Sequence, residues 1–321
     1  MIYTAESVTA WHPDKICDQI SDAILDECLK QDKYSRVAVE TMGGHGKIFL
    51  TGEITTNAEV DYKKVAKKIY KELLNKDIEV YSNIVSQAPE ISKGVDKGGA
   101  GDQGVMIGYA NANYSRNMPL EIIMSRDILS VFRTDGKSQV TYNEITDQVK
   151  KIVLSVQGKK QQELKLYLNE FVAKHRPDDY VEVFCNNTGS FETGGFDADS
   201  GVTGRKIVVD AYGPRVPVGG GAFSGKDATK VDRSAAYMAR WIALQLLYKY
   251  GGHEVLVKLG YVIGGVQPLM KIALIDGREV KFNYDCRPQA IIERFDLRKP
   301  IYLQTAREGH FGIRSYPWEQ Y

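Results

Sequence analysis

A glycine-rich turn at residues 43–46 joins two predicted β-strands within residues 36–55, and an amphipathic helix is predicted on either side of this hairpin. The first helix, residues 14–31, and the second, residues 60–74, each place apolar side chains at helical spacing. A sheet with one apolar face must bury that face against helices or against another sheet. The helix–hairpin–helix unit therefore favours an α+β fold.

Weaker versions of this unit follow in the second half of the chain. Strands are predicted at residues 181–184, 191–193, 206–211, 255–264, 271–275 and 279–282. Helices are predicted at residues 230–250 and 289–294. Strands and helices do not alternate as they would in a parallel doubly wound sheet. The sequence thus predicts three similar sheet-and-helix domains in a pseudo-threefold arrangement, at residues 1–90, 100–190 and 191–321.

The composition argues against several classes of protein. The 321 residues are 43% apolar and 26% charged with a net charge of +1, which is typical of a globular protein without a broad basic surface. Nucleic acid is therefore not expected as a partner. The four cysteines form no CxxC pair, which favours a reducing compartment, and the cytoplasm is expected. No signal-peptide pattern and no stretch of roughly 18 apolar residues is seen, so no membrane partner is expected.

Two glycine-rich segments, within the predicted loops at residues 92–108 and 213–227, match phosphate-binding motifs only in part. Residues 99–104 match GxGxxG, but no strand is predicted before them, as a dinucleotide site requires. Residues 220–226 match GxxxxGK, but Asp227 stands where a P-loop has Ser or Thr. Flexible connectors remain an alternative for both loops. Their chemistry still suits phosphate, since glycine permits close backbone approach and lysine supplies charge.

Cationic side chains recur beside these loops and at a helix start. They include His12, Lys15, Lys137, Arg205, Lys206, Lys226 and Lys230, with Lys137 expected on a turn. A triphosphate leaving group needs several converging cations, because its charge grows in the transition state. Magnesium would also need carboxylates, for which Asp14 and Asp232 are candidates. The alternatives are a helix N-cap for Asp14 and a surface charge for Asp232.

Several sequence blocks match one enzyme family in order along the chain. They include His12-Pro-Asp-Lys-Ile, Gly52-Glu-Ile-Thr-Thr, Gly99-Ala-Gly-Asp-Gln-Gly, Asp135-Gly-Lys-Ser-Gln-Val, Thr203-Gly-Arg-Lys, Gly219-Gly-Gly-Ala-Phe-Ser-Gly-Lys-Asp and Lys230-Val-Asp-Arg-Ser. On these blocks the chain resembles the S-adenosylmethionine synthetases (methionine adenosyltransferases) nearly from end to end. The chain is shorter than typical members, and Trp11, Ser190 and Ser200 depart from the usual pattern.

The resemblance implies a role for each matched side chain. The groups that hold the triphosphate would be His12, Lys137, Arg205, Lys206 and Lys226. The groups that contact ATP and its adenosine would be Asp102, Asp135, Phe191 and Arg205. The groups that hold methionine would be Glu53, Gln87, Asp199 and Lys230. Two Mg²⁺ ions per site would be bound by Asp14 and Asp232, and K⁺ by Glu40.

The resemblance also implies the reaction and the assembly. The sulfur of L-methionine would attack C5′ of ATP in line to make S-adenosylmethionine, and the tripolyphosphate would then be hydrolysed to phosphate and pyrophosphate. A thioether carries no proton, so no general base is needed. The active sites would be shared across a homodimer, with a homotetramer left open, beneath a lid near residues 91–100. The alternatives are a P-loop-like kinase or ATPase, an adenosyltransferase for a methionine analogue, and a relative that only binds nucleotide.

Overall fold

A computed structural model describes residues 1–87 and 98–321, so most of the predicted lid lies outside the described residues. The helices are α1 (Pro13–Gln31), α2 (Tyr62–Leu74), α3 (Leu120–Leu129), α4 (Gln161–His175), α5 (Ile207–Asp210), α6 (Val231–Tyr250), α7 (Pro288–Phe295) and α8 (Tyr302–Glu308). The strands are β1 (Ile2–Val8), β2 (Arg36–Gly44), β3 (Lys47–Thr55), β4 (Glu79–Val85), β5 (Gly104–Asn111), β6 (Gly136–Asn143), β7 (Gln148–Val156), β8 (Glu182–Cys185), β9 (Gly201–Val202), β10 (Glu254–Tyr261), β11 (Met270–Ile275) and β12 (Arg278–Glu279).

The strands of the described residues form three four-stranded sheets, in the orders β1-β6-β7-β8, β4-β3-β2-β9 and β12-β11-β10-β5. Within them β3–β4 and β7–β8 are parallel and the other pairs are antiparallel. Together with the helices, these sheets confirm the predicted α+β class with three similar units. Each sheet combines strands from distant parts of the sequence, and the domain boundaries given above stay a prediction.

Local predictions succeeded where the sequence pattern is regular. The hairpin β2–β3 and the helices α1, α2, α6 and α7 lie where they were predicted. The tight turn between β2 and β3 places His45 at φ 49° and Gly46 at φ 81°, in the left-handed region that glycine adopts without strain. Gly52 is fixed by packing as well, because a Cβ there would lie 2.1 Å from the carbonyl oxygen of Ala38.

Several local predictions were wrong. Residues 206–211 were expected as a strand but form helix α5, and residues 191–193 form no strand. The strand expected at residues 279–282 is reduced to β12. The predicted loop 92–108 ends in β5, whose residues from Met106 onward are buried against α6. For β5 the pairing with β10 and the packing against α6 decide the local structure, which propensity alone does not report.

Helix α1 lies at the centre of the N-terminal unit. It packs against β2, α2 and α8, and almost every side chain from Pro13 to Leu29 is buried. The opposite face of the β4-β3-β2-β9 sheet exposes Met42, Phe49 and Tyr81 among the residues that the structure describes. The charged side chains discussed next are held by α1 and by the segments that pack on it.

Candidate active site

The first charged cluster surrounds the start of α1. His12 is the N-cap, and the amide of Asp14 donates to Nδ1 of His12 at 3.2 Å, so the alternative that Asp14 is only a helix N-cap is wrong. Burial, and then the positive charge of Lys206, lower the pKa of His12 to about 4. The ring is therefore neutral at pH 7, and because Nδ1 accepts a hydrogen bond, the ring proton resides on Nε2. His12 thus offers a neutral N–H donor.

Asp14 is an ionised carboxylate between two cations. Its oxygens lie 2.5 Å from Nζ of Lys206 and 3.5 Å from Nε of Arg205, and Oδ1 accepts the amide of Val202 at 3.0 Å. Burial would raise the pKa of Asp14, but the hydrogen bonds from Lys206 and Val202 outweigh it and hold that pKa below its ordinary value. The structure thus places Asp14, Arg205 and Lys206 beside His12.

Lys137 approaches the same cluster from strand β6. Its prediction on a turn was wrong, since it pairs with Val8 of β1 and its Nζ lies 3.2 Å from Oε2 of Glu6. The lysine side chain is 47% exposed, so this ion pair is weak and leaves the ammonium available. Its charge contributes to lowering the pKa of His12, which places the two side chains near each other.

The candidate adenosine contacts lie at the edge of this first cluster. Asp135 directly precedes β6, and its Oδ2 accepts the amide of Gly195 at 2.9 Å. Burial raises the pKa of Asp135, against the hydrogen bonds from Gly195 and Gly136. Asp199 is exposed, and its charge reaches both Asp135 and His12. Phe191 is half-buried, and its carbonyl accepts the amide of Gly158 at 2.9 Å.

A second charged cluster is built at the start of α6. Nζ of Lys226 lies 2.8 Å from Oδ2 of Asp232. Burial raises the pKa of Asp232, Lys226 lowers it, and the neighbouring carboxyl of Asp102 raises it again. Asp102 and Asp232 thus lie next to each other, and Lys226 forms an ion pair with Asp232. Gly221 passes so close that a Cβ there would lie 1.9 Å from Oδ1 of Asp232, so the glycine-rich loop lies directly against this carboxylate.

One candidate methionine group, Glu53, lies on the same sheet face as Lys226 of the second cluster. Ala38 of β2 pairs with Glu53 on one side and bridges to Lys226 on the other, so Glu53 and Lys226 project from the same face of the sheet. Glu40 lies two residues along β2 on that face and is exposed. The amide of Gln87 donates to Oγ1 of Thr55 at 3.1 Å.

The fourth candidate methionine group, Lys230, is buried and bound to Asp227. Its ammonium group is therefore committed to that carboxylate here.

The two clusters are held apart by α1. The second lies beside Asp22, which accepts the amide of Gly225 at 2.8 Å, whereas the first lies beside Asp14. Eight residues of helix separate Asp14 from Asp22, which corresponds to about 12 Å along the axis. Within one chain the candidate residues therefore form two half-sites: His12, Asp14, Lys137, Arg205 and Lys206 in the first, and Asp102, Lys226 and Asp232 in the second.

These clusters are supported by buried polar residues whose role was not predicted from the sequence. Asp18, Asp22 and Asp26 continue the spacing begun by Asp14, and all are buried. Aspartates at every fourth position of a predicted helix were visible in the sequence and mark one helix face. Burial raises the pKa of Asp18 to about 7, although the adjacent Lys15 lowers it. Lys15 is itself buried, and Asp210 compensates its charge at 2.8 Å.

Comparison with known proteins gives a consistent result. Three family models match: the N-terminal domain of S-adenosylmethionine synthetase at residues 1–89, its central domain at residues 97–191 and its C-terminal domain at residues 193–320. S-adenosylmethionine synthase from Brachyspira hyodysenteriae is 40% identical, over 99% of this chain and 95% of that protein. The enzyme of that name from Thermus thermophilus is also 40% identical over the same shares.

A solved structure agrees with the sequence relatives. It is described as an unusual S-adenosylmethionine synthetase from Campylobacter jejuni, with 29% identity, a TM-score of 0.88, and coverage of 99% of this chain and 96% of that one. The resemblance inferred from the sequence blocks is confirmed. The chain belongs to the S-adenosylmethionine synthetase family and has the enzyme class of that family, methionine adenosyltransferase.

Proposed function

We propose that this enzyme joins ATP and L-methionine at an active site composed of the first half-site of one chain and the second half-site of another. The observation that carries this proposal is the division of the candidate residues into two clusters about 12 Å apart along one helix. A triphosphate needs cations on several sides as it departs. The two half-sites supply those cations together, and neither supplies all of them alone.

The exposed apolar side chains of the β4-β3-β2-β9 sheet support a homodimer as the assembly. Met42, Phe49 and Tyr81 lie side by side on adjacent strands and are 49%, 41% and 43% exposed, and the rings of Phe49 and Tyr81 stack at 5.2 Å. A contiguous exposed apolar patch typically marks an interaction surface. Glu40 and Glu53 project from the same face. A second copy docked here would therefore bring its own charged groups to Lys226. A homotetramer would be a pair of such dimers.

The proposed chemistry follows from the state of the side chains. His12 donates from Nε2 to the oxygen that leaves C5′, and Lys137, Arg205 and Lys206 hold the phosphates. The methionine sulfur needs only orientation, because it has no proton to lose. Asp135 and Phe191 border the space proposed for adenosine. Glu53, Gln87, Asp199 and Lys230 remain the candidates for methionine, with Lys230 released from Asp227 when substrate binds.

The residues present fit the proposed metal ions. Asp102 and Asp232 are neighbouring carboxyl groups, and Asp14 is ionised. Among the described residues, no three His, Cys, Asp or Glu side chains are grouped so that they could hold a metal ion. Such sparse carboxylates suit Mg²⁺, which is commonly held by one or two carboxylates together with substrate phosphates. Mg²⁺ would supply charge neutralisation of the triphosphate, and Glu40 would provide an oxygen ligand for K⁺.

The cytoplasmic location also remains a proposal. No helix in residues 1–87 and 98–321 has the length and apolar character needed to cross a membrane.

Product analysis tests the proposed function. The protein is mixed with ATP, L-methionine, Mg²⁺ and K⁺, and the products are identified by mass spectrometry. We expect S-adenosylmethionine with equal amounts of phosphate and pyrophosphate, and loss of all three products in Lys137→Ala. Formation of ADP would contradict the proposal and support a kinase or ATPase. Product formation only with another thioether would support a methionine analogue as the substrate.

A further inference from the structure

Helix α1 carries a buried aspartate at every fourth position, and each one binds a different part of the backbone. The four residues are Asp14, Asp18, Asp22 and Asp26. This spacing places them on one helix face at intervals of about 6 Å. A buried carboxylate is costly unless hydrogen bonds compensate it, and here the compensating donors are backbone amides between residues 202 and 303.

The order of these contacts follows the order of the candidate cations. The amides bound by the four aspartates in turn are those of Val202 at 3.0 Å, Gly204 at 2.9 Å, Gly225 at 2.8 Å, and the pair Tyr302 at 3.0 Å and Leu303 at 2.8 Å. Gly204 directly precedes Arg205 and Lys206, and Gly225 directly precedes Lys226. The amides bound by Asp26 begin α8, which carries none of the candidate site residues.

The segment that follows Gly204 is also tied at its far end. Nζ of Lys15 lies 2.8 Å from both carboxylate oxygens of Asp210 and 3.3 Å from Oδ2 of Asp18. Burial would lower the pKa of Lys15, but Asp210 and Asp18 hold it above its ordinary value, so the ammonium stays charged. One buried cluster therefore anchors residues 204 and 210, on either side of the two cations.

Gly204 makes the first anchor important for the cations next to it. Its φ of +81° lies in the left-handed region, and a Cβ there would lie 2.6 Å from Cβ of Ala222, so glycine is required. Glycine also gives the backbone the greatest freedom when it is not held. Without the hydrogen bond from the amide of Gly204 to Asp18, the backbone directly before Arg205 and Lys206 would no longer be held against α1.

We propose that Asp18 is a positioning residue for the reaction, supported by Lys15 and Asp210. It holds the backbone of Gly204 and thereby sets the direction from which Arg205 and Lys206 reach the triphosphate. The inference rests on the triphosphate role proposed above for those two cations. Asp26 provides a matched comparison, since it is a buried aspartate of the same helix that holds backbone amides remote from the cations.

The test compares Asp18→Ala, Asp18→Asn and Asp26→Ala with the wild type. The readouts are kcat, the methionine KM, the Kd of tripolyphosphate by calorimetry, and the Tm. We expect Asp18→Ala to lower kcat by about 10- to 100-fold, because small displacements of positioning groups have effects of this size. The Kd should rise and the methionine KM should stay unchanged. Asp18→Asn keeps an oxygen that can accept the amide of Gly204, so it should retain most of the activity.

Asp26→Ala should lower the Tm as much as Asp18→Ala while leaving kcat per folded molecule and the Kd of tripolyphosphate unchanged. The proposal is overturned if Asp18→Ala has wild-type kcat and Kd, or if Asp26→Ala reduces both to the same extent. If Asp18→Ala does not fold, Asp210→Asn replaces it and should lower kcat with the same unchanged methionine KM. Wild-type affinity for tripolyphosphate in Lys206→Ala would instead remove the premise about the cations, whatever Asp18 does.

Discussion

The buried ion pair between Arg233 and Asp22 should be among the most destabilising polar contacts to break in this protein. Both side chains have 0% exposure, and the guanidinium donates two hydrogen bonds of 2.7 Å to the carboxylate. It also donates to the carbonyl of Lys226, to Oγ1 of Thr305 and to the hydroxyl of Tyr237, each at 3.0 Å. All five of its N–H groups are therefore used.

Arg233→Met keeps much of the side-chain length but removes the guanidinium from the buried carboxylate of Asp22, which still accepts the amide of Gly225. Removing one member of a buried pair costs about 3–5 kcal/mol, because the other charge stays buried without compensation. Against a total stability of roughly 5–15 kcal/mol, this loss is large. The double variant Asp22→Leu with Arg233→Met removes both charges, so we expect it to recover much of the loss.

Urea unfolding followed by circular dichroism, at one protein concentration for all variants, measures these differences. Lys71→Met is the control, because Lys71 and Asp77 form an exposed pair at 60% and 90% exposure, for which we expect a change close to zero. The reasoning is refuted if Arg233→Met costs less than about 1 kcal/mol, below the range for buried pairs. It is also refuted if the double variant is no more stable than the single one.

Three further predictions concern the active site. Gly221→Ala should lower kcat by about 100-fold with little change in Tm, because the new Cβ must displace the carboxylate of Asp232. Steady-state kinetics measures kcat, and thermal melting measures Tm. For His12, the folded-state pKa of about 4 lies below the ordinary value of 6.5. The contribution of this side chain to the free energy of unfolding is therefore fully present above pH 6.5. It is lost as the pH falls toward 4, by at most about 3 kcal/mol. His12→Asn keeps an N-cap and removes this titration, so urea unfolding should show a smaller loss of stability between pH 7 and pH 5 than in the wild type. Phe49→Glu with Tyr81→Glu should give inactive monomers by light scattering, and active dimers would contradict the proposed interface.

Local patterns in the sequence were sufficient for elements whose contacts are local. The hairpin β2–β3 is signalled by its own glycine turn, and α6 by a long run of apolar side chains at helical spacing. Helix α5 shows the opposite case. Ile207-Val-Val-Asp210 has the β-branched composition of a strand, but the ion pair of Lys15 with Asp210 and the helical bond from the amide of Asp210 to the carbonyl of Lys206 favour a helix turn. That ion pair joins residues far apart in sequence, and no local pattern predicts it.

The sequence blocks predicted which side chains belong to the candidate site but not how they are distributed. Asp14 and Asp232 were both predicted as magnesium ligands. The structure places Asp14 in the first cluster and Asp232 in the second, which lies beside Asp22 of α1. The aspartate spacing along α1 was readable, but its purpose depends on which amides approach the helix. Those amides come from residues about 190 to 280 positions further along the chain, and only the fold brings them there.

Coexpression of two inactive variants tests the central claim, that each active site combines half-sites from two chains. Lys206→Ala damages the first half-site and Lys226→Ala the second, and each should be inactive alone. In a mixed dimer, one site carries both changes and the other carries neither. With random pairing, the coexpressed protein should recover about one quarter of wild-type activity, since half of the dimers are mixed and each has one intact site of two. No recovery, with mixed dimers confirmed by mass spectrometry, would show that each site is built within one chain and would contradict the account.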